Sequence, residues 1–132
     1  MIRAALEADE QAALFDWAGW QAAKFPELRL LHAIPNGGYR NKAEAARLKA
    51  QGVKAGVPDI CLPVARGGWH GLYIELKRDD GKSGASVEQK RWLDDLAGQG
   101  YVAMMCHGWA NAASVVLAYL GGGRIWREPD KN

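Results

Sequence analysis

With 132 residues, 48% of them apolar and 24% charged, the chain has the composition of one globular domain with a real core; disorder and a second core are both excluded. No apolar run approaches the roughly 20 residues of a membrane span. Acids in MIRAALEADEQAALFDW stand where a signal peptide would be apolar, so a cytoplasmic protein without a membrane partner is expected. A net charge of +2 permits nucleic-acid binding without demanding it.

In chain order, a helical pattern covers residues 8–23 and Pro26 closes it. Residues 28–34 (LRLLHAI) read as a strand, ended by the turn-forming Pro35-Asn36-Gly37-Gly38. Asn41 offers an N-cap for a helix over 42–51, with Gly52 at its C-terminal end. Residues 57–64 and 71–77 read as strands joined by Ala65-Arg66-Gly67-Gly68, most simply an antiparallel hairpin. A polar loop over 78–85 leads to a helix capped by Ser86 and running to about Gly98, with Gln89 where a capping box would place it. Residues 101–106 form a fourth strand, 109–120 a last helix, and 121–132 a peripheral tail. The order α-β-α-β-β-α-β-α predicts an α/β fold: a mixed central sheet flanked by helices, in a single domain over 1–120. Cys61 and Cys106 fall in apolar strand-like runs and read as reduced core thiols.

Charge is unevenly spread. Arg40, Lys42, Arg47, Lys49 and Lys54 form one basic cluster; Lys77, Arg78, Lys82, Lys90 and Arg91 form another. Taken alone, such clusters serve equally well as solvated faces.

The period-two alternation of a strand puts Glu75 and Lys77 on one face, with Ile74 and Leu76 on the other. Asp59 on the neighbouring strand reaches the same spot, because paired strands lie about 5 Å apart. Two carboxylates there repel unless a cation lies between them, and hard oxygen ligands suit Mg2+ or Mn2+. A lysine beside that cation can orient or deprotonate an attacking water. The competing reading is a cross-strand salt bridge on a solvated edge. Pro58 before the acid, and apolar runs suited to a sheet covered on both faces, argue against it.

Those residues carry a resemblance. Gly-Val-Pro-Asp (56–59) followed by Ile-Glu-Leu-Lys (74–77) resembles the PD-(D/E)XK nuclease signature. The chain from about Glu10 to Leu120 is more closely similar to the VRR-NUC family, the virus-type replication-repair nucleases of the stand-alone phage and bacterial type. That similarity includes IPNGGYR, the approach Ala-Arg-Leu-Lys…Gly-Val-Lys-Ala-Gly-Val-Pro-Asp, and Glu-Gln-Lys opening the later helix. It implies a restriction-endonuclease-like sheet in which Asp59, Glu75 and the Leu76 backbone carbonyl hold the metal and Lys77 serves the water. It also implies a glutamate on the first helix and a glutamine, here Gln89, on the helix after Lys77. For the glutamate, Glu10 has Ala13, Leu14 and Trp17 at i+3, i+4 and i+7 and so lies on the apolar stripe. Glu7 has a more polar row and is the fallback. Glu10 can also be read as a helix-start acid, and Gln89 as a capping residue alone.

Among other candidates, His32, His70 and His107 read as core or loop residues. Trp17 and Trp92 fall on core stripes, and Trp69 in a glycine-rich turn looks free to touch a ligand. Asn36, Gly37, Tyr39 and Arg40 form a loop able to approach phosphate, with Lys42 and Lys82 as further DNA contacts. The resemblance therefore implies a Mg2+- (or Mn2+-) dependent DNA endonuclease leaving 5′-phosphate and 3′-hydroxyl ends. For a short chain of this type it implies a homodimer acting on branched double-stranded DNA, as a Holliday-junction resolvase. The alternatives are a flap or nick endonuclease, a restriction-type enzyme, and a DNA-binding module that does not cut.

Overall fold

The structure is a computed structural model that describes residues 2–35, 41–82 and 84–122, with side chains from Leu6 onward. Its elements are α1 (Ile2–Gln21), a 3-10 helix (Pro26–Leu30), β1 (His32–Ala33), α2 (Lys42–Ala50), β2 (Ile60–Leu62), β3 (Leu72–Lys77), α3 (Val87–Gly98), β4 (Val102–His107) and α4 (Trp109–Leu120). The strands form one mixed sheet in the order β1-β2-β3-β4, antiparallel except for the parallel pair β3-β4. Parallel neighbours need a crossover, and α3 supplies it. The predicted α/β architecture is therefore present.

Four features differ from the sequence reading, the first being α1, which spans Ile2–Gln21 where a helix over 8–23 is expected. Residues 28–34 form a strand only at His32–Ala33; before it Pro26, with its fixed φ, opens the 3-10 helix. The apolar spacing there is three, not two: Leu28 and Leu31 are buried while Arg29 and Leu30 are exposed. The strand expected over 57–64 contracts to Ile60–Leu62, because Pro58 and Pro63 have no N–H to give a ladder. Asp59 thus stands just outside β2, its carbonyl accepting the Ile34 N–H. Trp69, expected to be free, is buried in the hairpin. Its turn places Gly67 and Gly68 both at positive φ (57° and 88°), the pattern of a type I′ turn, while Arg66 and Trp69 exchange backbone hydrogen bonds.

One face of the sheet makes the core. Ile60, Leu62, Leu72, Ile74 and Leu76 pack there with Leu14 and Ala18 of α1 and Ala112, Val115, Val116 and Tyr119 of α4. Tyr119 fastens α4 to the hairpin end through a buried bond from its hydroxyl to the Val64 carbonyl, 2.6 Å. Tyr73, Glu75 and Lys77 point to the other face, which α3 covers with the half-buried Gln89, Trp92, Leu93 and Leu96. Both cysteines are buried free thiols, as expected.

Candidate active site

The site forms at the C-terminal end of β3, beyond its pairing with β2, whose first residue, Ile60, stands opposite Ile74. Glu75 and Lys77 are both buried, with 2% and 7% of their surfaces exposed, so their charges stand in a poorly solvated cleft. Lys77 Nζ lies 3.4 Å from Glu75 Oε2. Gln89, from the first turn of α3, completes the triangle: its Nε2 donates to Glu75 Oε2 (3.0 Å) and its Oε1 accepts from Lys77 Nζ (3.1 Å).

That amide is held from behind. Gln89 Oε1 also accepts the Ser86 N–H (2.8 Å), and Ser86 Oγ accepts the Gln89 N–H (3.1 Å), so the predicted capping box is formed. One side chain therefore caps α3 and joins the carboxylate to the lysine. The capping and catalytic readings of Gln89 are compatible.

Asp59 comes from the loop before β2. Its Oδ2 accepts the Leu76 N–H at 2.9 Å. A strand residue's N–H and carbonyl face the same neighbour, so the Leu76 carbonyl is turned to the Asp59 side as well. Burial raises the Asp59 carboxyl above its ordinary value, against lowering by the Leu76 N–H, the Glu75 carboxyl and Lys77, and with a last, smallest raise from Glu7. Burial, then the Asp59 charge, push Glu75 up to about 8. Glu75 Oε1 is buried and has no hydrogen-bond partner among the described residues. A buried carboxylate oxygen left unpaired beside a second acid is costly, and a divalent cation would satisfy both. The oxygen donors present fit a hard cation. Among the described residues no three His, Cys, Asp or Glu side chains form a ready-made metal cluster, so the fit rests on this carboxylate pair.

The two first-helix acids go to different places. Glu7 is the one whose charge acts on Asp59. Glu10 Oε1 instead accepts the Trp109 N–H at 3.0 Å. α4 begins after Gly108, which has no side chain to cap with, and Glu10 takes that role from another helix. The apolar stripe that favoured Glu10 holds for Leu14, which is fully buried, but does not decide where a half-buried acid midway along α1 reaches. Sequence reasoning also passed over the neighbourhood of His107: it pairs in register with Lys77 across β3-β4, and its Nδ1 lies 3.4 Å from the Arg78 carbonyl. Lys42 and Lys82 are exposed at the mouth of α2 and after β3, whereas Asn36, Gly37, Tyr39 and Arg40 lie outside the described residues.

A paired aspartate and glutamate with a lysine two residues on, at the end of a central strand in such a mixed sheet, define a nuclease of the PD-(D/E)XK type. The VRR-NUC domain matches residues 5–110, and the chain belongs to that family. Among solved structures, a VRR_NUC domain protein superposes with a TM-score of 0.75 at 37% identity, covering 87% of this chain and 88% of its own. No curated protein matches. As a member of this family the chain is a nuclease with DNA as its substrate.

Proposed function

We propose that the chain is a divalent-metal-dependent endonuclease of branched DNA, most directly a homodimeric Holliday-junction resolvase using Mg2+ or Mn2+. The observation that carries the metal reading is the buried Glu75, whose Oε1 has no hydrogen-bond partner among the described residues, beside a second, half-buried acid, Asp59. Asp59, Glu75 and the Leu76 carbonyl would hold the cation, with Glu7, whose charge acts on Asp59, as the first-helix acid in preference to Glu10. A cation there supplies charge stabilisation at the scissile phosphate and activation of water. Lys77 orients that water and counters charge that develops on the phosphate. Gln89 keeps the lysine and Glu75 in one geometry, and the cleft around them excludes bulk water. Asn36, Gly37, Tyr39, Arg40, Lys42 and Lys82 are the DNA contacts of this reading.

The choice of a four-way junction rests on the family resemblance and on an uninterrupted fold: only Gly108 separates β4 from α4. Two sites related by a two-fold axis would match a junction's own symmetry. Cleavage of end-labelled four-way junction, flap and linear duplex, side by side in Mg2+, tests it. Paired symmetric nicks on the junction are the expected result. Flap cutting alone would keep the metal site and discard the junction; binding without cutting any substrate, in Mg2+ or Mn2+, would leave a non-cutting module.

A further inference from the structure

Helix α2 is oddly placed for a helix of its length. It has nine residues and none is buried; only Glu44 and Leu48 are even half-covered. An isolated helix shorter than about 12 residues is marginal in water. α2 is well finished at both ends all the same. Asn41 Oδ1 accepts the Glu44 N–H (2.8 Å), and Gly52 at φ 100° closes it, with Val53 N–H bonded to the Leu48 carbonyl and Gly52 N–H to the Lys49 carbonyl.

Its charge is one-sided. Residues 42–54 carry four cations, Lys42, Arg47, Lys49 and Lys54, against one acid, Glu44. All four cations are exposed, and none has an ion-pair partner among the described residues. Lys42 and Lys49 are seven residues, two helical turns, apart and share one exposed face; Arg47, two residues before Lys49, is exposed on another side of the helix.

Behind α2 the chain is fastened to the start of α3. Trp92 Nε1 donates to the Ala55 carbonyl (3.1 Å), and Gly56 lies so close that an added Cβ would meet Glu88 at 2.9 Å. Asp59 follows five residues after Lys54, so the two Cα atoms are at most about 18 Å apart. DNA lying in the site is within reach of α2 inside one turn of duplex, roughly 34 Å.

We infer that α2 and the residue after its turn form a phosphate-docking arm, in which Arg47, Lys49 and Lys54 bind the nucleic-acid backbone flanking the cleavage site. Charge complementarity names the occupant: an exposed, unpaired cationic helix beside a nuclease site fits a polyanion. The inference rests on the DNA-nuclease reading and extends its contacts beyond Lys42. The arm supplies affinity and register, not sequence choice, because phosphates carry no sequence information.

The test is the salt dependence of binding to a labelled four-way junction and a labelled duplex, without divalent metal. Each lost phosphate contact lowers the slope of log K against log salt by about 0.9. Arg47→Ala/Lys49→Ala/Lys54→Ala is expected to lower it by about 2 to 3 on both DNAs, and to raise KM in Mg2+ while kcat at saturating DNA holds. Lys24→Ala/Arg29→Ala removes two exposed cations at the opposite, hairpin end and is expected to leave the slope within 0.5 of wild type. If the triple variant unfolds by circular dichroism, Lys49→Ala alone is read for a drop of about 1. A slope unchanged in the arm variants, or lowered no more than in the control pair, overturns the arm while leaving the nuclease intact. A wild-type chain that neither binds nor cuts DNA overturns the underlying reading instead.

Discussion

Gln89 donates its Nε2 to Glu75 Oε2 over 3.0 Å, and this bond is one arm of an amide whose other arm holds Lys77. Orientation of that amide is fixed by the α3 capping box, where the Ser86 N–H takes Oε1. Gln89→Ala removes both functions. Cleavage is expected to fall roughly 10- to 100-fold, the usual loss when a residue supporting metal ligands is removed. Ser86→Ala keeps the backbone N–H and loses only the hydroxyl cap. It is expected to cost about 1 kcal/mol in denaturant unfolding with cleavage changed only a few-fold.

Burial and the Asp59 charge raise Glu75 to about 8 in the folded chain, above its ordinary 4.5. The folded state then binds a proton that the unfolded state has lost, so stability falls as pH rises from about 4.5 to 8. Glu75→Gln cannot ionise and lacks this contribution. Thermal melts of both proteins without metal, between pH 5 and pH 9, are expected to show Glu75→Gln gaining on wild type as pH rises. Divalent cation added to wild type at pH 8 should narrow the gap, since the ion stabilises the ionised pair.

Glu7 and Glu10 are expected to fail differently. Glu7→Gln weakens divalent-ion affinity and slows cutting at limiting Mg2+, while the melting temperature stays near wild type. Glu10→Ala leaves the Trp109 N–H without its acceptor and lowers stability by about 1 kcal/mol. The reverse pattern, read from metal titrations of cleavage and from melts, would return the metal role to Glu10.

Gly108, at φ 84°, joins β4 to α4, and an added Cβ would stand 2.8 Å from Asp79 Cβ. Gly108→Ala combines a backbone conformation that L residues avoid with that clash. It is expected to destabilise by roughly 1–3 kcal/mol in denaturant unfolding.

The motif was legible because its chemistry is local. Glu75 and Lys77 share a strand face by period alone, and Pro58-Asp59 announces itself beside an apolar run. The capping box was equally legible, since Ser86 and Gln89 stand at fixed spacing, and the structure forms both of its bonds. What sequence could not carry was long-range docking. Where the Glu10 carboxylate reaches depends on where α4 starts, 99 residues beyond it. The strand expected at 28–34 was lost because two leucines three apart serve a 3-10 turn as readily as alternation serves a strand. Trp69 was misplaced because a glycine-rich turn looks open on paper, while the hairpin folds its indole inward.

Calorimetric titration of Mn2+ into the wild-type chain and into Glu75→Gln decides whether the Asp59–Glu75 pair binds a divalent cation. Saturable binding to the wild type, lost or weakened at least tenfold in the variant, is the expected result. Equal binding by both proteins, or DNA cleavage that persists in excess chelator, would contradict it.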